Sequence, residues 1–124
     1  MASGDNHLVN TEMIIQVKPN SNGITIGRFV CLTGTEIGST HADDYAATTV
    51  IGVALGTETD TDTYVAVAPI GVFTMTSTTG ATVGTAQISE SNTSLTDGST
   101  AGQVLAKALQ TVAAAGTGKF LINI

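Results

Sequence analysis

Short apolar runs alternate with glycine, proline and polar turns along most of this chain. The clearest runs occupy residues 24–32, 50–56, 63–68, 70–75 and 119–124. Residues 63–68 alternate apolar and polar positions one by one, which is typical of a half-buried strand. Residues 81–88 follow the pattern less closely, and residues 104–109 fit either a strand or one to two turns of helix. The pattern therefore predicts an all-β domain with at most one short helix.

The first 22 residues read differently from the rest. They are mostly polar and hold one apolar run, residues 13–17, which Pro19 and an Asn-Ser-Asn-Gly cluster end. We expect residues 1–22 to form an extended N-terminal arm and residues 23–124 to form a single compact β domain. About 20 extended residues reach roughly 65 Å, well beyond a domain radius of gyration of about 14 Å. A disordered terminus is the alternative, but leaving the apolar run exposed would be costly.

The two halves of the domain echo each other. Residues 26–30 resemble 83–87, residues 50–55 resemble 101–106, and residues 64–67 resemble 120–123. Each half would then contain a strand led by glycine, a strand containing glycine and an exit strand. Two such halves would make one small closed or nearly closed β unit, which hides its sheet edges.

Composition narrows the classes of partner. The chain has 124 residues, with four basic and ten acidic side chains and a formal net charge of -6. Four scattered cations cannot neutralise a phosphate backbone, so we expect no nucleic-acid binding. No apolar run approaches the roughly 20 residues of a membrane-spanning helix, so we expect no membrane partner. Aromatic residues are only 4% of the chain, and such a thin core predicts association with copies of itself.

Few residues suggest chemistry. Residues 58–62 place three carboxylates at alternate positions, which suits either a hard cation such as Ca²⁺ or, as we favour, a solvated hairpin loop. His41, Asp43 and Asp44 form a polar loop in our interpretation, with a metal site as the alternative. Cys31 lies inside an apolar run, which predicts a buried and inert thiol. We therefore expect no catalytic residue, no metal and no cofactor, and a protein that is not an enzyme.

The order of the motifs resembles that of the small capsid decoration (cement) proteins of tailed bacteriophages. Members of that family typically carry IGVAL, a VAV…GV(F) strand pair, a strand led by GD or GT, and a closing G-x-(A/L) strand. The corresponding segments here are GRFV at 27–30, VIGVALG at 50–56, VAVAPIGVF at 65–73, TVGTA at 82–86 and AGQVLAKAL at 101–109. The resemblance covers roughly residues 23–124, with Gly84-Thr85 where the family often has Gly-Asp.

The resemblance implies a compact β domain, of β-tulip or barrel-like fold, that forms homotrimers on the outer capsid surface of the virion. Such proteins assemble in the host cytoplasm, bind the major capsid protein, bridge neighbouring capsomers and stabilise the head. In lambda-type members the N-terminal segment orders on the shell and pairs with capsid strands. Carried over by position, the candidate capsid-binding residues are Met13, Ile14, Ile15 and Val17.

Two other functions stay open at this point. A glycan-binding β-module of a head fibre or other surface adhesin would use the loops at 57–63 and 89–100, with Tyr45 and Tyr64 as aromatic contacts. A small metal-dependent enzyme would use His41, Asp43 and Asp44. Saturable binding to undecorated heads would distinguish a capsid decoration protein from the glycan-binding module and from the enzyme.

Overall fold

The structure, a computed structural model, describes residues 14–33, 36–38, 50–91, 93–98 and 104–124. Its regular elements are all strands, so the prediction of an all-β domain is confirmed. The described part of the chain has no helix that could cross a membrane. The strands are β1 (Ile15–Val17), β2 (Phe29–Thr33), β3 (Glu36–Gly38), β4 (Val50–Ala54), β5 (Val65–Ala68), β6 (Ile70–Ser77), β7 (Ala86–Ser89), β8 (Ser94–Asp97), β9 (Ala106–Ala108) and β10 (Gly116–Asn123). Residues 106–108 are thus a strand, which settles the choice left open for 104–109.

The strands divide into two consecutive sets. The first five form a sheet in the order β1-β5-β4-β2-β3, and the last five form a closed barrel in the order β10-β6-β8-β7-β9. Neighbouring strands are antiparallel except β6 and β8, whose parallel pairing through Thr76 and Ser77 closes the barrel. Closure leaves the second half without a free edge, whereas the first half keeps β1 and β3 at its margins.

The two halves repeat one topology. In the first half β4 lies between β2 and β5, β3 lies beside β2, and β1 lies beside β5. The strands β6 to β10 of the second half take the places of β1 to β5 in the same order. The turns match as well. The Gly27 N–H donates to the Ala54 carbonyl at 2.9 Å, and the Gly84 N–H donates to the Ala108 carbonyl at 2.8 Å. The predicted match of residues 26–30 with 83–87 is therefore confirmed.

The other two predicted matches are each wrong by three residues. Because the Ala54 and Ala108 carbonyls accept the equivalent hydrogen bonds from Gly27 and Gly84, residues 50–54 correspond to 104–108. Ala54 pairs with Val67 and Ala108 pairs with Phe120, so Val67 corresponds to Phe120. We call two residues related in this way counterparts. Strings of Ala, Gly and Val match each other in several alignments, and only the strand register selects the correct one.

A short difference in the chain explains why only one half closes. Between Val17 and the turn that starts at Asn20 lie Lys18 and Pro19, whereas only Thr76 separates the counterparts Met75 and Ser77. Proline has no N–H to give to a neighbouring strand, and the extra residue shifts the register. The strand β1 therefore ends at Val17, while β6 continues through Ser77 to reach β8.

The prediction of an arm over residues 1–22 is corrected for residues 15–17. These residues pair with β5, Ile15 opposite Val67 and Val17 opposite Val65, as part of their own chain's sheet. We expected a partner protein to bury the apolar run at residues 13–17, but the domain itself buries part of it. Residues 1–13, including Met13, lie outside the described residues.

The buried side chains form two clusters. One belongs to the first half alone and consists of Val17, Ile24, Val30, Ala54, Val65 and Val67. The other, which we call the joint core, contains residues of both halves and consists of Phe29, Cys31, Val50, Val53, Met75, Ala81, Leu95, Leu105, Ala106, Ala108, Val112, Phe120 and Ile122. The first sheet therefore has apolar residues on both faces, and one face packs into the core that it shares with the barrel half.

Candidate functional site

The predicted capsid-binding residues differ in their accessibility. Val17 is 6% exposed and packs into the core of its own sheet, so it is not available to a partner. Ile14 is half-buried, and Ile15 is 40% exposed at the margin of the sheet. Met13 lies outside the described residues. Of the candidates that the structure describes, Ile15 is the one that a partner can contact most directly.

The margin around β1 forms a distinct surface, which we call the edge surface and define by Ile15, Gln16, Lys18 and Tyr64. The counterpart of Ile15 is Phe73, which packs against the joint core. The Lys18 ammonium lies 5.0 Å from the centroid of the Tyr64 ring, in cation–π contact. The edge surface thus combines an exposed apolar side chain, a cation on an aromatic ring and a strand that lies at the end of its sheet among the described strands.

Two turns of equivalent structure each raise an apolar side chain into solvent. The Arg28 N–H donates to the Thr25 carbonyl, and the Thr85 N–H donates to the Thr82 carbonyl. Gly27 and Gly84 have φ angles of 81° and 84°, which a β-turn of this kind needs at its third position. Ile26 and Val83, just before them, are 60% and 61% exposed. Sequence reasoning missed these two tips because turns are expected to be polar.

The acidic loop at residues 58–62 binds its own backbone. The Glu58 carboxylate accepts the N–H groups of Thr59 and Asp60 at 3.0 and 2.9 Å, and the Asp60 carboxylate accepts the N–H of Asp62 at 2.9 Å. Within the described ranges, no three His, Cys, Asp or Glu side chains gather as metal ligands. The geometry favours the solvated loop. His41, Asp43, Asp44 and Tyr45 lie outside the described residues.

The barrel contains a row of hydrogen-bonded polar side chains, two of which are buried. Ser77 and Gln87 are both fully buried, and the Ser77 hydroxyl donates to the Gln87 amide oxygen at 2.9 Å. The Gln87 amide nitrogen donates to the Asp97 carboxylate. The counterpart of Gln87 is Val30, which lies in an apolar core. The hydrogen bonds satisfy polar groups that would otherwise be costly to bury.

Cys31 is buried, as the sequence predicted. Burial raises the pKa of its thiol to about 12, because the low-dielectric interior disfavours the thiolate. The thiolate is the reactive form of cysteine. Cys31 is therefore a packing residue of the joint core at neutral pH.

Comparison with solved structures finds a likeness to a component of a phage head. The fold is similar to that of the N base of head fiber gp8.5 in bacteriophage phi29, with a TM-score of 0.62 and 15% sequence identity. The match covers 90% of this chain and 95% of that chain. No family model matches the sequence, and no curated protein matches it. The chain thus shares its fold with the N base of a phage head fiber.

Proposed function

We propose that this chain is a structural virion protein that binds the outer surface of the assembled phage head as a capsid decoration protein. The observation that carries the proposal is the fold shared with a head-fibre base over 90% of the chain. The order of strand motifs, which resembles that of decoration proteins, supports it independently. The proposed role is mechanical and requires no reaction.

The proposed partners are the major capsid protein and further copies of this chain in a homotrimer. Three linked contacts convert weak individual binding into strong binding through effective concentration. A protein that binds only the assembled shell stabilises that shell by mass action. Bridging of neighbouring capsomers would resist the pressure that separates them.

The edge surface is the proposed capsid contact, together with the residues that precede β1. Ile15 offers apolar area, and the outer side of β1, which pairs with no other described strand, offers N–H and carbonyl groups. An extended capsid segment can pair with such a margin, with main-chain hydrogen bonds supplying affinity. The proposal thus keeps part of the predicted arm and moves its boundary to residue 14.

Binding to purified, expanded, undecorated heads tests the proposal. The wild-type chain should co-sediment with heads saturably, and Ile15→Asp should bind at least about 10-fold more weakly, since a buried charge is strongly unfavourable. Ile26→Asp is the matched control, because Ile26 is an exposed isoleucine that is not a member of the edge surface. Absence of saturable binding by the wild-type chain would refute the function, and equal binding by Ile15→Asp would refute the contact.

The fold shared with a head-fibre base supports a second candidate function, a glycan-binding β-module of a head fibre or other surface adhesin. Tyr64 is 61% exposed and could stack on a sugar ring. A glycan-array signal that Tyr64→Ala removes, without saturable binding to bare heads, would favour this candidate over decoration.

A further inference from the structure

One face of the repeated sheet is buried in the first half and open in the second. Val53 and its counterpart Lys107 hold equivalent places in β4 and β9, and Ala68 and Leu121 do so in β5 and β10. Val53 and Ala68 are almost fully buried, and Val53 belongs to the cluster that joins the two halves. Lys107 is exposed, and Leu121 is half-buried. Among the residues that the structure describes, the fold therefore packs one copy of this face inside the molecule and leaves the other uncovered.

The uncovered copy, which we call the open barrel face, combines apolar and basic side chains; its members are Val72, Val104, Lys107, Lys119 and Leu121. Val72 pairs with Leu121, which pairs with Lys107, so one row crosses β6, β10 and β9. A hollow of about 260 Å³ beside this row is lined by Val104, Leu105, Ala106, Lys107, Leu121 and Asn123. The face is concave enough to receive a partner's side chains.

The charge of this face is unbalanced. The strands β6, β9 and β10 contain two lysines and no carboxylate. The Lys119 ammonium donates to the Thr74 hydroxyl at 2.7 Å. In the part of the chain that the structure describes, neither lysine lies within salt-bridge distance of a carboxylate. A partner that covers the face would therefore need to bring negative charge.

The complementary charge occurs on the other half of the same chain. Glu58 forms a bridge with Ile24, as Val112 does with Ala81, so Glu58 is the counterpart of Val112. Val112 is buried in the joint core, as Val53 is. At these two positions the joint core holds valines, whereas their counterparts are the exposed Lys107 and the half-buried Glu58. With Asp60 and Asp62 exposed beside it, Glu58 marks an acidic end on the first half.

We propose that the open barrel face of one copy binds the acidic end of a second copy, at residues 58–62. Two different surfaces meet in such a contact, so it repeats around a ring and closes when the rotation per copy allows. The inference deepens the proposed function, because it assigns the interface of the homotrimer, and it rests on that function only for the number of copies.

Sedimentation velocity of the purified full chain tests the interface without any capsid. Over about 1 to 300 μM, which spans weak and moderate Kd values, the wild-type chain should associate. Lys107→Glu combined with Lys119→Glu should raise the Kd by at least about 10-fold, because two attractive contacts become repulsive. Unchanged thermal unfolding would show that the variant folds, since both lysines are exposed.

The matched control is Arg28→Glu, compared with Lys107→Glu alone, because each variant changes the net charge equally at one exposed cation. It should keep the wild-type Kd within about 3-fold, as expected for charges outside the contact. Adding Asp60→Lys and Asp62→Lys to the Lys107→Glu, Lys119→Glu variant should restore association, because the charge pairing is re-formed in reverse.

Several outcomes would overturn the interface. These are a wild-type chain that stays monomeric up to the highest concentration, association that survives the lysine reversals, and a control that dissociates as much as the variant. A monomeric wild-type chain whose head binding depends on Lys107 and Lys119 would assign the face to the capsid instead. Loss of head binding with intact self-association would refute the decoration role and leave this interface standing.

Discussion

A methyl group at Gly52 is expected to damage the first sheet severely. Gly52 lies inside β4, paired with Val30 on one side, and its α-carbon faces β5 on the other. A β-carbon there would lie 2.6 Å from Cγ1 of Val67, 2.7 Å from the carbonyl oxygen of Ala68 and 2.8 Å from its carbonyl carbon. Favourable contacts between heavy atoms lie at about 3.5–4.0 Å. The backbone of β5 would have to move, and its pairing with β1 and β4 opposes that movement.

The contacts set the size of the effect. Overpacking of a core typically costs about 1–3 kcal/mol, and a clash with paired backbone belongs at the upper end. The loss of glycine's freedom in the unfolded chain returns about 0.4–1 kcal/mol. Gly52→Ala should therefore lower the free energy of unfolding by about 2–3 kcal/mol, or the Tm by roughly 10 °C for a domain of this size. The counterpart of Gly52 is Ala106, so the second half already holds a methyl group at this position.

Urea unfolding followed by far-UV circular dichroism measures the change. Gly56→Ala is the matched control, because the nearest heavy atom to its new methyl group is Cγ2 of Val65 at 3.2 Å, a side-chain contact; its effect should stay within about 1 kcal/mol. Adding Val67→Ala to Gly52→Ala should not restore stability, since the Ala68 carbonyl remains in the way. A Gly52→Ala protein within about 0.5 kcal/mol of wild type would refute the reasoning.

Three further predictions follow from buried groups. Burial raises the pKa of Cys31 from 9.0 to about 12, so its contribution to stability is complete below pH 9 and is lost as the pH rises towards 12; urea unfolding across that window should show a decline that Cys31→Ala reduces. Ser77→Ala should lower the free energy of unfolding by about 1–3 kcal/mol, because it leaves the Gln87 amide oxygen without its hydrogen bond, and adding Gln87→Val should recover part of the loss. If packing alone mattered, the single and the double variant would be equally destabilised. Phe120→Ala, at a fully buried position, should cost about 3–5 kcal/mol, whereas Val72→Ala on the open barrel face should cost under about 1 kcal/mol; comparable losses in thermal unfolding would contradict the assigned burial.

The parts of the fold that followed from the sequence are those in which an apolar period and a turn signal coincide. Val65–Ala68 alternates cleanly and is β5. The matching glycine turns led to the repeat, because glycine is required where φ is positive. The strands β3 and β8 escaped prediction. The segment Ser94–Asp97 has one buried apolar residue, Leu95, and it is a strand because β7 and β6 lie on either side to pair with it.

The candidate site was harder to predict, for a physical reason. An apolar, β-prone run such as Ile14–Val17 adds equally well to the edge of its own sheet and to the edge of another protein, since the main-chain hydrogen bonds are the same. Sequence pattern therefore located Ile15 as a residue that favours strand pairing but could not choose the strand it pairs with. The open barrel face escaped prediction because it depends on which copy of a repeated surface the fold leaves uncovered.

The one extra residue in the Lys18-Pro19 segment has a mechanical consequence for the molecule. A ring of strands opens only when a whole ladder of bonds breaks together. Among the described strands, β1 pairs with β5 only, so it can separate from the sheet one bond at a time. Amide hydrogens that bond β1 to β5 should therefore exchange with deuterium through local fraying, and those inside the ring through rarer, global opening. Removing Pro19 would let β1 extend towards β3, at the other end of the first sheet. The edge of that sheet would then be stiffer than it is in the wild-type protein.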